Sequence, residues 1–288
     1  MLFVPRGSNE FNAVGSAAAT RPGTTAAYGT SITPATTNAY GTPSQVGDDL
    51  TQDCYGLLIN ANLVFAAGAY RQAAIQILTD PAGGTTWTPL VSDIIVTQAN
   101  NYAGGGIWYY FPINIASGSA VAVAGRASTN VAFGVNIRYM TAPPDPSTVK
   151  RASVIETVGA TFGASTVTMT GVTPGTTAEG AWTLLGTTTR RLWWWQIACG
   201  HTDTTMGVLN YHVDLATGDT TTVGDPKDII ISDYYVRTTA SETFENIPLV
   251  TGVEKVVPSG KTIWARVQNA GTNENAGNFQ VAAIGCGG

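Results

Sequence analysis

The chain carries two histidines, and each stands two residues before an acid: His201-Thr202-Asp203 and His212-Val213-Asp214. On an extended strand, positions i and i+2 share a face, so each imidazole can meet its carboxylate. Such a pair is the beginning of acid–base or metal chemistry. Completing it takes a third group and a pocket that excludes water. No third ligand stands at metal-site spacing beside either pair, and no Gly-x-Ser-x-Gly elbow marks a nucleophile. The pairs therefore read as structural contacts on a sheet face. Acids that cut a glycosidic bond must face each other about 5–9.5 Å apart across the sugar. Asp48-Asp49, Asp93, Glu242 and Glu245 are sparse and form no recognisable cluster. The expectation is a chain that is not an enzyme, with no catalytic residue, no metal site and no cofactor.

The tripeptide Trp193-Trp194-Trp195 is the densest aromatic feature. Successive strand residues point to opposite faces, so Trp193 and Trp195 are expected to pack inside with Ile197, the opposite alternation being the alternative. Trp194 then meets the other domain or a neighbouring molecule, where a large ring makes a strong anchor. Arg126 and Arg266 sit at similar places near the ends of related strands and read as outward-facing, pairing with acids across a subunit contact. Three cysteines, Cys54, Cys199 and Cys286, are widely spaced. An odd, scattered set is neither a disulfide framework nor a zinc pattern, and reads as three unpaired thiols.

Composition narrows the partners. Charged residues make up 11% of 288, and the net charge is −5. A typical soluble domain carries about 25% charged residues. Lys150-Arg151 and Arg190-Arg191 are isolated basic pairs, so the electrostatic footprint of a nucleic-acid binder is missing. The apolar stretch at 55–70 contains Asn60 and Asn62 and is too short to span a membrane. The first residues, Met1-Leu2-Phe3-Val4-Pro5-Arg6, lack the basic-then-apolar order of a secretory signal. Synthesis in a host cytoplasm and no contact with nucleic acid or membrane are the expectations. A surface so poor in charge meets other protein without desolvating many ions.

The elements that must position these residues are strands. Val131, Phe133, Val135, Ile137 and Tyr139 alternate with Ala132, Gly134, Asn136 and Arg138, the pattern of a half-buried strand. No stretch shows a helical apolar stripe. The second half also replays the first. Ile75-Gln76-Ile77-Leu78-Thr79-Asp80 followed by Asp93-Ile94-Ile95-Val96 is answered by Tyr211-His212-Val213-Asp214-Leu215-Ala216 followed by Asp228-Ile229-Ile230-Ile231. Ala116-Ser117-Gly118 is answered by Pro258-Ser259-Gly260. The offsets are 135 for Ile94 to Ile229 and 142 for Ser117 to Ser259. Two copies of one all-β unit follow, as two tandem jelly-roll-like β-sandwiches at residues 51–141 and 153–288. The Pro-rich stretch at 142–152 links them as a stiff connector. Residues 1–50 differ from the rest: residues 22–47 carry no charge and almost no large aliphatic side chain. Residues 1–50 are expected to form an extended N-terminal arm whose spaced anchors Tyr28, Ile32 and Tyr40 lie on a neighbour, with Trp194 as a further partner-binding residue.

Val256-Val257-Pro258-Ser259-Gly260-Lys261-Thr262-Ile263-Trp264-Ala265-Arg266-Val267-Gln268, a polar turn, and Phe279-Gln280-Val281-Ala282-Ala283-Ile284-Gly285 resemble the closing strands of β-sandwich virion proteins of tailed bacteriophages. The resemblance covers about the last thirty residues, with an echo at 115–139. It implies a structural component of the virion, often a trimer. The expected role is a capsid cement or decoration protein that clamps neighbouring major capsid protein subunits. The alternative it leaves open is a tail-fibre or tail-adaptor part, or a receptor-binding protein that holds glycans on an aromatic platform including Trp194, Tyr234 or Tyr235. The chain has no coiled coil, collagen-like repeat or β-helix period, which departs from the fibre pattern.

Overall fold

The computed structural model describes residues 11–14, 30–35, 39–62, 71–98, 108–127, 132–141, 151–163, 167–201, 210–219, 228–238, 244–245, 252–269 and 279–288. Every regular element among them is a β-strand, and the chain is all-β. The first half contains β1 (Phe11–Val14), β2 (Thr30–Ile32), β3 (Ser44–Gln45), β4 (Gly56–Asn62), β5 (Arg71–Asp80), β6 (Thr88–Gln98), β7 (Trp108–Phe111), β8 (Ala120–Ala127) and β9 (Phe133–Met140). The second contains β10 (Val154–Val158), β11 (Ala160–Phe162), β12 (Val167–Gly171), β13 (Thr183–Thr187), β14 (Leu192–His201) and β15 (Asn210–Gly218). It continues with β16 (Asp228–Thr238), β17 (Phe244–Glu245), β18 (Val253–Val257), β19 (Thr262–Asn269) and β20 (Phe279–Gly287).

Both halves follow one plan. The first half has sheets in the orders β1-β9-β4-β7 and β3-β8-β5-β6; the second has β11-β12-β20-β14-β18 and β13-β19-β15-β16-β17. Element by element, β4 to β9 correspond to β14, β15, β16, β18, β19 and β20. The edge strand is interrupted in both copies. β1 and β2 lie end to end along β9, and β10 and β12 lie end to end along β20. Each half is a double sheet whose inner faces make a core, compatible with the jelly-roll expectation. Alternation drives this: Phe133, Val135, Ile137 and Tyr139 are buried while Arg138 is exposed.

The repeat is closer than the sequence offset of 135 indicates. β5 and β6 slip register between Ile75 and Ile77, and β15 and β16 slip between Val213 and Leu215. At the slips sit Ser92-Asp93 and Ser232-Asp233, 140 residues apart, and the two aspartates take left-handed φ values of 59° and 53°. Asp tolerates this conformation better than most side chains. The turns at Gly118 and Gly260, both at φ 81°, keep the offset of 142.

The expectation of an extended arm is corrected for its described part. β2 pairs with β9 and β3 pairs with β8 of the same chain. Val46 and Leu50 donate backbone hydrogen bonds to Val121 and Ser119 at 2.8 and 2.9 Å. Ile32, Val46 and Leu50 are buried in the chain's own core. The first double sheet thus extends beyond residues 51–141. In its described part the leader is ordered by ladder hydrogen bonds, with three aliphatic plugs between.

The two halves share one contiguous cluster of buried side chains. β6 and β7 of the first half abut β10 and β14 of the second. Gln196 accepts from the Tyr110 N–H at 2.8 Å and donates to the Tyr110 carbonyl at 2.7 Å. Thr157 Oγ1 donates to the Asp93 carbonyl at 2.7 Å. Ile32→Ala is expected to lower the unfolding free energy by about 2–5 kcal/mol. Denaturant titration checks this, and an unchanged midpoint would contradict placement of the leader in the core.

Candidate functional site

The outer face of the β15–β16–β19 sheet gathers the densest chemistry in the described residues. The bulge at Ser232-Asp233 leaves the Asp233 backbone N–H without a ladder partner. Asp214 on β15 takes it through Oδ1 at 2.7 Å. The other oxygen of Asp214 accepts from Arg266 Nε and Nη2 at 2.8 and 2.7 Å. Asp214 is 3% exposed, so it is held by a fully used set of charge-assisted bonds. Glu179, in the segment that borders β19, pairs with Nη1 of the same Arg266 guanidinium, close to Asp214. The Trp182 ring lies under that guanidinium at 4.5 Å.

Glu179, Asp214 and Asp233 each offer an oxygen, all within 4.8 Å of one another. Arg266 answers two of these carboxylates, and a cation would have to displace it. Partial burial pushes the Glu179 carboxyl above its ordinary value. The nearby Asp214 carboxylate pushes the same way, against the pull of Arg266. His212 stands at the rim, with Nδ1 3.9 Å from Asp233 Oδ1 and its ring edge-on to Tyr235. Tyr235 Oη donates to Asn210 Oδ1 at 2.6 Å. The arrangement can offer an aromatic edge, a fixed cation and acceptor oxygens to a polar ligand.

The first half treats its bulge differently. Tyr40 Oη accepts the Asp93 N–H at 3.0 Å and donates to Asp93 Oδ1 at 2.8 Å. Arg126 lies 3.7 Å from Asp93, with the rings of Tyr40 at 5.3 Å and Phe162 at 4.0 Å. Phe162 comes from the second half, so this bulge is closed by the seam, whereas that of Asp233 is open.

The sequence-based site residues are therefore dispersed. Tyr28 lies outside the described residues. Ile32 is 0% exposed and cannot anchor a partner, a correction that follows from its pairing opposite Phe133. Tyr40 is half-buried, spent on Asp93, and burial pushes its phenol far above the ordinary value. Trp194 is half-buried and meets Tyr110 of the first half edge-on at 6.1 Å. Of the two alternations, the structure takes the one with Trp193, Trp195 and Ile197 in the core. Arg126 and Arg266 pair with acids of their own chain instead of a neighbour's. His212 and Asp214 share a face, but Asp214 is taken by Arg266. Cys54, Cys199 and Cys286 are buried and form no disulfide; burial pushes the Cys54 thiol up to about 11. Glu179 and Trp182 were missed. Their one signal was the repeated Ser-Asp at 92–93 and 232–233, which marks where a bulge needs side-chain acceptors.

No protein-family model matches the chain, and no curated protein does. Among solved structures it is similar to a peptide-N(4)-(N-acetyl-β-D-glucosaminyl)asparagine amidase, at 10% identity over 89% of this chain and 96% of that one, TM-score 0.30. It is similar to the tandem CBM22-1-CBM22-2 domain of Paenibacillus barcinonensis Xyn10C, at 11% identity over 98% and 92%, TM-score 0.25. It is similar to a chain of Broad Bean Stain Virus, at 6% identity over 93% and 92%, TM-score 0.30. The expectation that the chain is not an enzyme is corrected by the first of these, because an amidase stands among its matches. At these TM-scores none of the likenesses assigns an activity.

The raised Glu179 carboxyl sets a direction for pH. The folded chain holds that proton more tightly than the unfolded chain. Its contribution is therefore greatest below the unfolded value and is lost as pH rises through the folded one. Glu179→Gln removes this loss. Melting midpoints from pH 4 to pH 7 are expected to fall in the wild type relative to Glu179→Gln; parallel profiles would contradict the assignment.

Proposed function

We propose that the chain is a structural protein of a bacteriophage particle, of the capsid cement or decoration class, seated on the major capsid protein. The observation that carries this reading is the fusion of two duplicated sandwiches through one continuous core, which makes a stiff block rather than two beads on a linker. A charge content of 11% suits a body that meets protein on several sides. The described leader is stitched into its own sheets, so in this reading the sandwich body provides the clamp. Many copies related by symmetry then resist outward pressure together, each burying modest area. A trimer, location on the virion, and the likeness to tailed-phage sandwich proteins belong to the same proposal.

A second reading, a glycan-binding or tail-located virion protein, is favoured by the Trp182–Arg266–Glu179–Asp214 group on the open sheet face. Sugars stack on aromatic rings and take charged side chains as hydrogen-bond partners. Trp182 replaces Trp194 as the platform, since Trp194 faces the seam. Immunogold labelling of purified particles is expected to place the chain over the shell. Label confined to the tail, together with glycan-array binding lost in Trp182→Ala, would favour the second reading. Particles without label would remove both.

A further inference from the structure

The contact between the two halves is heterologous: an edge of one meets a face of the other. Strands β6 and β7 supply the edge, and β10 and β14 supply the face. The outward residues of that face, Trp194 and Gln196, receive Tyr110 of β7. Because the chain is a duplication, it possesses both surfaces a second time. The second half has its own copy of the edge in β16 and β18, with the two-residue β17 paired only at Arg237 and Thr238 of β16. The first half has its own copy of the face in β1, β4 and β9. Among the described residues, neither of these two packs extensively on its counterpart.

The spare edge has the character of an unmet contact. Among the described residues the exposed large hydrophobic side chains are Ile229, at 38%, and Val256, at 43%. One lies on β16 and the other on β18. On β7, Phe111 and Tyr109 point into the core and Tyr110 points out toward Trp194. On β18, Val257 points in and Glu254 and Val256 point out. The outward positions equivalent to Tyr110 are thus the exposed ones. The bulge shows the same asymmetry. The Asp93 carbonyl is capped by Thr157 of β10, and the Asp93 side chain is 36% exposed. The side chain of Asp233, its equivalent, is 66% exposed. The spare face carries the exposed Arg138 on β9, opposite Leu58 of β4, and, four residues along the same strand, the exposed Ser31 of β2 opposite Gly134. Asp233 and Glu254 on the spare edge carry the opposite charge.

We propose that the β16–β18 edge of one copy docks on the β1–β4–β9 face of a second copy of this chain. That contact repeats between molecules the one that β6 and β7 make with β10 and β14 within a molecule. A heterologous contact of this kind closes into a ring or runs as an open row, with the rotation between the halves deciding which. The inference concerns the isolated chain and stands whether or not the protein belongs to a particle.

Light scattering of the purified full-length chain tests it, with Val256→Asp as the edge variant and Arg138→Glu as the face variant. The wild type is expected at a multiple of 29.9 kDa, and each variant alone as a monomer. An equal mixture of the two variants is expected to form a dimer. The intact edge of one then meets the intact face of the other, and growth stops there. The melting midpoint of Val256→Asp is expected to match the wild type, since the side chain is exposed. Should Arg138→Glu melt early, Ser31→Arg on the same face takes its place. A wild type that is monomeric at its highest soluble concentration would overturn the proposal. So would assembly unaffected by Val256→Asp, or a variant mixture that stays monomeric, the result expected of an edge-to-edge or face-to-face contact.

Discussion

Gln196 ties the molecule together. It projects from the outer face of β14 and bonds to both backbone groups of Tyr110 on β7, an edge strand of the other half. An edge strand presents unpaired N–H and C=O groups that must find partners once buried. Here a side-chain amide, itself 3% exposed, supplies one donor and one acceptor. With that edge sealed, Trp194 can lie against Tyr110, Thr157 can cap Asp93, and Arg126 can be enclosed between Tyr40 and Phe162. The seam is a polar lock surrounded by apolar contacts, and it turns a duplication into one body.

Duplication followed by unequal burial explains where the chemistry ends up. Both copies keep a left-handed aspartate at a bulge. In the first copy the seam covers it, and the arginine nearby is buried under Phe162. In the second, no described residue covers it, and the buried Asp214 takes the bulge N–H while Arg266, Glu179 and Trp182 around it stay partly exposed. Isolated exposed ion pairs contribute little, but this one is organised around an almost fully buried carboxylate. Its geometry is therefore fixed before any ligand comes.

Much of the strand content was legible because alternation is a local signal. Val131 to Tyr139 could be read as a half-buried strand, and the Trp triplet could be assigned to two faces. The turn glycines at 118 and 260 marked the duplication. The leader was misread because its order comes from backbone pairing with β8 and β9, which leaves almost no trace in side-chain composition. The site was misread for a related reason. Glu179 and Trp182 reach Arg266 across the sheet edge, and Asp214 lost its apparent partner His212 to an arginine 52 residues away. Contacts of that range are set by strand order, which spacing along the chain does not reveal.

Calorimetry of the full-length chain beside Gln196→Ala tests the lock most directly. The wild type is predicted to unfold in a single transition whose calorimetric and van't Hoff enthalpies agree, because both halves share a core. Gln196→Ala, which leaves the Tyr110 N–H and carbonyl without partners at the seam, is predicted to split or broaden that transition. Two resolved transitions in the wild type, or a profile that Gln196→Ala leaves unaltered, would contradict it.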